Sequence, residues 1–333
     1  METKKTVKVK FLDYWSDFPR KRDDYLILRL LRKHYDVQIC EDADYVFFSA
    51  MGNSHWSVPD RCVKIFHTGE NLVPDFNACD YALGFDWMDF GDRYLRCPLY
   101  LFYDPALLDA MEHKHELPEG WNLEGEKPDF CSFVVSNPGN PRRNEAFRVL
   151  SGYKRVDSGG RYLNNVGGPV KDKAAFERTH KFSLCFENGS YPGYTTEKLV
   201  EAFAARTIPV YWGDPEVGRV FNPAAFIDAT AYDSLERLLE RVEALDRDND
   251  EYMRMLREPA LLPEAGSVLE QQQRLEAWLL HIFDQPLEAA YRRNRTHFGK
   301  FYVEDRLSLD WKSNAKAILD VWKRKLKCRI GKK

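Results

Sequence analysis

The stretch CFENGSYPGYTTEKLVEAF, Cys185 to Phe203, decides how this chain is read. The apolar run Phe182 to Phe186 reads as a buried strand and stops at Glu187-Asn188. A loop with Gly189, Pro192 and Gly193 follows, then an amphipathic helix that opens on Thr195-Thr196-Glu197-Lys198. Strand, glycine-containing loop and helix in that order make the repeating unit of a parallel α/β sheet. Helix capping accounts for one threonine and for Glu197 in the first turn. It does not account for Lys198, a cation at the positive end of a helix, unless an anion sits beside it. Helix N-termini after such loops are phosphate sites, so capping and anion binding both stand as readings of this junction.

Working outward, the first part of the chain alternates short apolar runs with helical patterns. Val7 to Leu12, Val37 to Cys40, Tyr45 to Ser49, Cys62 to His67 and Tyr81 to Phe85 read as strands. Asp24 to His34 reads as a helix with Leu26, Ile27, Leu30 and Leu31 on one face. Between Glu112 and Asp129 the text turns polar and carries Pro118, Gly120, Gly125 and Pro128, the expected linker. A second alternating set follows: strands at Cys131 to Ser136, Arg155 to Asp157, Lys181 to Phe186 and Ile208 to Trp212. Its helices are Arg143 to Gly152, Glu197 to Arg206 and Asp233 to Leu245. The expected fold class is α/β, two Rossmann-like doubly wound domains facing each other across a cleft, with ligands beyond the carboxyl ends of the strands.

Two further strand-to-helix turns carry candidate chemistry. HTGENLVPDF, His67 to Phe76, places Glu70 where a general base would sit, although an ordinary polar turn explains it equally. SNPGNPRRNEAF, Ser136 to Phe147, sets Arg142 and Arg143 at the start of a helix, where cations are disfavoured unless phosphate or carboxylate is near. Trp15, Trp56, Trp87 and Trp121 are candidates for stacking on sugars, with core or rim packing as the alternative. Asp42-Ala-Asp44 precedes its strand and reads as a turn cap rather than a metal ligand. Asp246, Asp248 and Asp250 lack the glycine and glutamate of a calcium loop. No metal ligand set and no cofactor is expected.

The 333 residues are 44% hydrophobic and 30% charged, the balance of a soluble globular chain long enough for two domains. A net charge of −3 argues against a nucleic acid partner. The seven scattered cysteines contain no C-x-x-C pair and fit reduced thiols. No apolar run reads as a signal peptide or a membrane span, so a cytoplasmic location is expected.

Phe182 to Asp228, which contains CFEN, YTTEK, IPVYWG and FNPAAFID, resembles the central motif of the family-10 glycosyltransferases, the α-1,3/4-fucosyltransferases. Ala225 stands where that family usually has Ser. HTGENLVPDFNACDYALGFD and VSNPGNPRRNEAF resemble two upstream family segments. The resemblance is dense from Phe66 to Asp228 and thin elsewhere, and the short form without an anchor looks like the bacterial branch. It implies the GT-B fold, GDP-fucose as donor substrate, no metal, inversion at the fucose, and transfer to GlcNAc of an N-acetyllactosamine-type (Lewis x-like) oligosaccharide acceptor. By residue, it implies Glu70 as base, Arg143 and Lys198 on the diphosphate, and Tyr194, Thr196 and Glu197 toward the nucleotide, Glu197 on the ribose. Glu187 and Asn188 would lie near the fucose or shape its pocket. It implies an acceptor domain over 1–125 and a donor domain over 126–304. Linkage to the 4-hydroxyl, another GDP-sugar, a lipid-linked acceptor or a non-catalytic glycan binder remain alternatives. A hydrolase is disfavoured for want of a matched carboxylate pair.

The C-terminus carries one more expectation. A helix over about 305–322 is expected to pack back on the first domain, with Ala315, Ile318, Leu319 and Trp322 in phase. From Lys323 to Lys333 there are seven basic residues and no acid, and subtracting them from −3 leaves −10 for the rest. Peripheral contact with an anionic membrane is one reading of that tail, and a solvated helix end is the other.

Overall fold

The computed structural model describes residues 4–293 and 296–309. It contains two compact units, each built on its own sheet. The first comprises residues up to Leu83, Asp89–Leu95 and the chain from Trp278 onward; the second comprises Gly84–Met88 and Arg96–Ala277.

The first sheet holds β1 (Thr6–Leu12), β2 (Asp36–Ile39), β3 (Tyr45–Phe48), β4 (Val63–His67), β5 (Tyr81–Gly84) and β6 (Tyr94–Arg96) in the order β2-β1-β3-β4-β5-β6. The pairings of β1 to β5 are parallel, with Phe11 opposite Phe47, Phe47 opposite Ile65 and Ile65 opposite Tyr81. Every residue of β3, β4 and β5 is buried, as expected of strands covered on both faces. The helix Leu26–His34 buries Leu26, Ile27, Leu28, Leu30 and Leu31, and ends on Arg32, Lys33 and His34, which complement its dipole.

The second sheet holds β7 (Asp129–Phe133), β8 (Val156–Ser158), β9 (His180–Phe186), β10 (Ile208–Trp212) and β11 (Ile227–Asp228) in the order β11-β10-β9-β7-β8, all parallel. β9 is central, with Phe182 opposite Cys131 and Leu184 opposite Val210. Phe133, Leu150, Phe182, Leu184, Val210, Leu238, Val242 and Tyr252 form the heart of this core.

The segment read from sequence as a linker lies within the second unit. Two lysines fasten it. Lys114 donates to the Leu256 carbonyl at 2.8 Å and lies 5.2 Å from the centre of the Phe203 ring. Lys127 donates to the carbonyls of Arg178 and Ala205 and to Thr207 Oγ1. Residues Arg96 to 125 therefore group with the second sheet, and Trp278 to 304 with the first. The helix Val268–Asp284 runs across that division: Phe283 stacks on Tyr45 with centroids 4.1 Å apart, and Asp284 accepts from the Tyr35 hydroxyl at 2.7 Å. Arg293 then pairs with the buried carboxylate of Asp80. A last described helix, 297–309, reaches Asp75 through the Tyr302 hydroxyl at 2.5 Å. The tail 323–333 and most of the expected helix 305–322 lie outside the described residues.

Burial pulls the Lys114 ammonium down to about 7. An unfolded lysine titrates near 10.4, so between those values the unfolded chain holds more protons than the folded one and stability rises with pH. Below about 7 both states are charged and the penalty is complete. Lys114→Met is therefore expected to exceed wild type in stability near pH 7, by a margin that closes toward pH 10. Denaturant unfolding of both proteins across that range checks it, and a margin independent of pH would refute it.

Candidate functional site

The carboxyl ends of β7, β9 and β10 meet the N-termini of two helices, Pro141–Ser151 and Glu197–Ala204. At the centre is Glu187, fully buried at the end of β9. Its Oε1 accepts from the Thr196 amide at 2.7 Å, and its Oε2 accepts from the Thr196 hydroxyl at 2.7 Å and from Lys198 Nζ at 2.9 Å. Thr196 is the N-cap residue, yet its hydroxyl caps no helix amide. The carboxylate of Glu187, delivered from the end of β9, instead holds the amide and the hydroxyl of the N-cap residue itself. Gly213 makes this approach possible, since a Cβ there would lie 2.4 Å from Glu187 Cγ.

This arrangement explains the cation at the positive end of a helix. Lys198 donates to Glu187, to Thr196 Oγ1 at 2.9 Å and to Glu197 Oε1 at 3.0 Å, so all three of its N–H directions are engaged. Burial works against its charge, but the two carboxylates hold the ammonium above the ordinary lysine range. Burial also opposes the Glu197 charge, yet Lys198 and Lys173 bring that carboxyl down to about 2. Glu187 goes the other way: burial pushes it up, against the pull of Lys198. Behind them Lys173 pairs with Glu201, and burial together with the Glu197 and Glu201 charges pushes the Tyr103 hydroxyl up.

Arg143 lies in the first turn of the helix Pro141–Ser151 and is also buried. Its guanidinium donates to the Asn137 carbonyl at 2.6 Å, the Asn188 side chain at 3.1 Å and the Phe186 carbonyl at 3.3 Å. These oxygens take the place of the anion that two cations at a helix start seemed to demand. Asn140 caps this helix at the Arg143 amide and donates to the Glu187 carbonyl at 2.7 Å, tying the two junctions together. Arg142 instead lies over the Trp212 ring, 5.7 Å from its centre.

The connecting loop is braced from below by Asp214, whose carboxylate accepts from the Gly193 amide at 2.7 Å and the Thr195 hydroxyl at 3.0 Å. Burial pushes that carboxyl up. Tyr194 is buried, edge-on to Phe85, and its carbonyl accepts from the Tyr211 hydroxyl. Arg96 donates to the carbonyls of Phe85 and Gly193. Gly193 has φ +90, and a Cβ would fall 2.2 Å from the Phe85 carbonyl oxygen. Gly193→Ala is expected to cost at least the roughly 1–3 kcal/mol of a strained backbone and to displace the loop. Thermal unfolding should show a lower midpoint, and an unchanged midpoint would mean the loop tolerates another path.

In the first unit Glu70 is exposed just past β4, in a turn fixed by its amide bond to Thr68 Oγ1 at 2.9 Å. His67, at the end of β4, is buried against the Tyr25 hydroxyl, and burial pulls it down to about 3, so it adds no charge to that turn at neutral pH. The structure thus brings Arg143, Glu187, Asn188, Tyr194, Thr196, Glu197 and Lys198 onto one junction of the second unit, and Glu70 belongs to the first unit. Asp42 pairs with Arg61 and Lys8; Asp248 caps a helix; Asp246 holds Lys154 and Lys181. Trp87 has Arg96 and Arg219 at 3.9 and 3.8 Å from its ring centre, so its faces are covered. Asn140, Asp214, Lys173 and Tyr103 escaped the sequence reading. Only Asn140 left a signal there, as an asparagine before a proline at a helix start.

Two sequence profiles fit this chain: the "Alpha-(1,3)-fucosyltransferase FucT N-terminal domain" over residues 9–103 and "Glycosyltransferase family 10 (fucosyltransferase) C-term" over residues 125–258. The chain is 32% identical over 288 residues to the alpha-(1,3)-fucosyltransferase FucT of Helicobacter pylori, covering 77% of this chain and 60% of that protein. It is 31% identical over 137 residues to the human 4-galactosyl-N-acetylglucosaminide 3-alpha-L-fucosyltransferase FUT6, covering 39% of this chain and 37% of that protein. A crystal structure of an α1,3-fucosyltransferase with GDP-fucose superposes with a TM-score of 0.67 at 28% identity, over 84% of this chain and 92% of that one. Anabaena HepE in complex with UDP-glucose, at 10% identity and a TM-score of 0.53 over 83% of this chain and all of that one, is alike in fold alone. The chain spans 60% of the length of the Helicobacter protein and about a third of the other curated relatives.

Proposed function

This chain belongs to glycosyltransferase family 10, the fucosyltransferase family with the GT-B fold, and from that premise we propose that it is an inverting α-1,3-fucosyltransferase. Its donor is GDP-fucose and its acceptor the 3-hydroxyl of GlcNAc in an N-acetyllactosamine-type oligosaccharide. The observation that carries the reading is the junction of Arg143 and Lys198 at two adjacent helix N-termini. Departure of GDP builds negative charge on the diphosphate as the sugar becomes cationic, and fixed cations and helix amides are what lower that barrier.

In the second unit, the donor unit, Arg143 and Lys198 bind the diphosphate by charge-assisted hydrogen bonds. A phosphate oxygen would share the Lys198 ammonium with Glu187 and Glu197, which hold it in place. Glu197, kept ionised near neutral pH, accepts from the ribose hydroxyls, while Tyr194 and Thr196 shape the loop along the nucleotide. Glu187 orients Thr196 and Lys198, and Asn188, exposed beyond it, turns toward the fucose. In the first unit, the acceptor unit, Glu70 takes the proton of the attacking hydroxyl as general base. A screen of GDP-sugars and acceptors, with product linkage read by NMR, tests this. α-1,3-Linked fucose on N-acetyllactosamine supports it; no transfer from GDP-fucose, or an α-1,4 product, sinks it.

A further inference from the structure

The second unit has a cavity of about 350 Å³ at its other pole, where the turns leading into β7, β9 and β10 come together. β9 is seven residues long, so at about 3.3 Å per residue the cavity is roughly 20 Å from Glu187. Its floor is Lys127, whose three donors are all taken by the two carbonyls and the Thr207 hydroxyl already described. The walls are different. Glu119, Glu126 and Arg178 stand exposed around one space, and among the described residues no hydrogen bond or ion pair engages their side chains, nor the indole N–H of Trp121.

Arg206 completes the wall in a conformation that costs energy. It sits just past the helix Glu197–Ala204, where its amide bonds the Phe203 carbonyl at 2.9 Å and the Thr207 amide bonds the Ala202 carbonyl at 3.0 Å. Its φ is +52, in the left-handed region where such helix ends favour glycine. The chain keeps an arginine there, and among the described residues its guanidinium hydrogen-bonds only the Glu116 carbonyl, at 3.2 Å.

We propose that this cavity is a second saccharide-binding site, which takes a neutral oligosaccharide against the face of Trp121. A sugar ring offers an apolar C–H face to an indole and a ring of hydroxyls that both donate and accept. Carboxylates and guanidiniums left unpaired around one space match that mixture. A simple anion would meet Glu119 and Glu126, and an apolar ligand would strip water from charges with nothing in exchange. Trp87, with Arg96 and Arg219 over its ring, offers no such surface; the indole of Trp121, half-buried against the core of the second unit, has no aromatic ring or cation paired with it among the described residues.

The test follows the indole N–H resonance of Trp121 in the full-length chain, assigned by its loss in Trp121→Phe, during titration with linear tri-N-acetyllactosamine or with inorganic phosphate. The expected result is a saturable shift with the saccharide and none with phosphate. Arg206→Gly should weaken it at least about tenfold, while its thermal midpoint equals or exceeds wild type because glycine suits that φ. No shift with the saccharide, a shift with phosphate, or equal affinity in Arg206→Gly overturns the proposal. Turnover is not read, so absence of fucosyl transfer would leave this outcome intact.

Discussion

Glu70→Gln is expected to leave GDP affinity nearly intact while lowering turnover about 10²- to 10⁴-fold, the usual weight of general base catalysis. The substitution keeps the size and hydrogen-bonding reach of the side chain and removes only its capacity to accept a proton. The turn should survive it, because its shape comes from backbone bonds: the Glu70 amide to Thr68 Oγ1, and the Leu72 amide to the Glu70 carbonyl at 2.8 Å. Nearby His67 is a poor substitute, because it is buried and burial pulls it down to about 3, which makes it a weak base. Steady-state kinetics with GDP-fucose decide the matter, and turnover within a few-fold of wild type would remove Glu70 from the reaction.

Lys198→Ala should have two effects that can be separated. It removes a diphosphate ligand, and it leaves the buried Glu187 carboxylate without the ammonium it is paired with. Breaking a buried pair from one side typically costs about 3–5 kcal/mol, so the variant should be markedly less stable as well as weak in GDP binding. The double variant Glu187→Gln, Lys198→Met removes both charges, and is expected to recover most of the stability and none of the GDP affinity. Calorimetry and thermal unfolding of the three proteins provide the check. Wild-type GDP affinity in the double variant would mean that Lys198 is a counterion for Glu187 and no phosphate ligand.

Much of this was legible in the sequence, for physical reasons. Strands buried on both faces write themselves as short apolar runs, and YVFF, VKIFH and IPVYW stand where those runs predict. Tyr94–Arg96 and Ile227–Asp228 are too short to make a run at all. The polar stretch after Glu112 was misread as a linker because Lys114 and Lys127 look like solvent residues, and only long-range partners at Leu256, Arg178 and Ala205 show them buried. The same limit applies at the site. The anomaly of Lys198 was visible, but its explanation was expected in a ligand and lies first in Glu187, eleven residues upstream. Asp214 works by bracing the loop from a neighbouring element, which leaves no local pattern to read.

The carboxylate of Asp80 has a bearing on how the chain is made. It is fully buried and takes the amides of Lys64, Arg292 and Arg293 together with the Arg293 guanidinium, the last from 213 residues further along. At roughly 5–20 residues per second, a ribosome reaches Arg293 about 10–40 s after Asp80 emerges. Throughout that interval the buried acid has the Lys64 amide but lacks the Arg292 and Arg293 donors. The second unit, almost continuous from Arg96 to Ala277, is complete before them. Protease challenge of stalled nascent chains should therefore find the second unit resistant first, with the N-terminal strands becoming resistant only once Arg293 is out. Resistance of the N-terminal strands in chains stalled before Trp278 would show that the first sheet closes without its last segment.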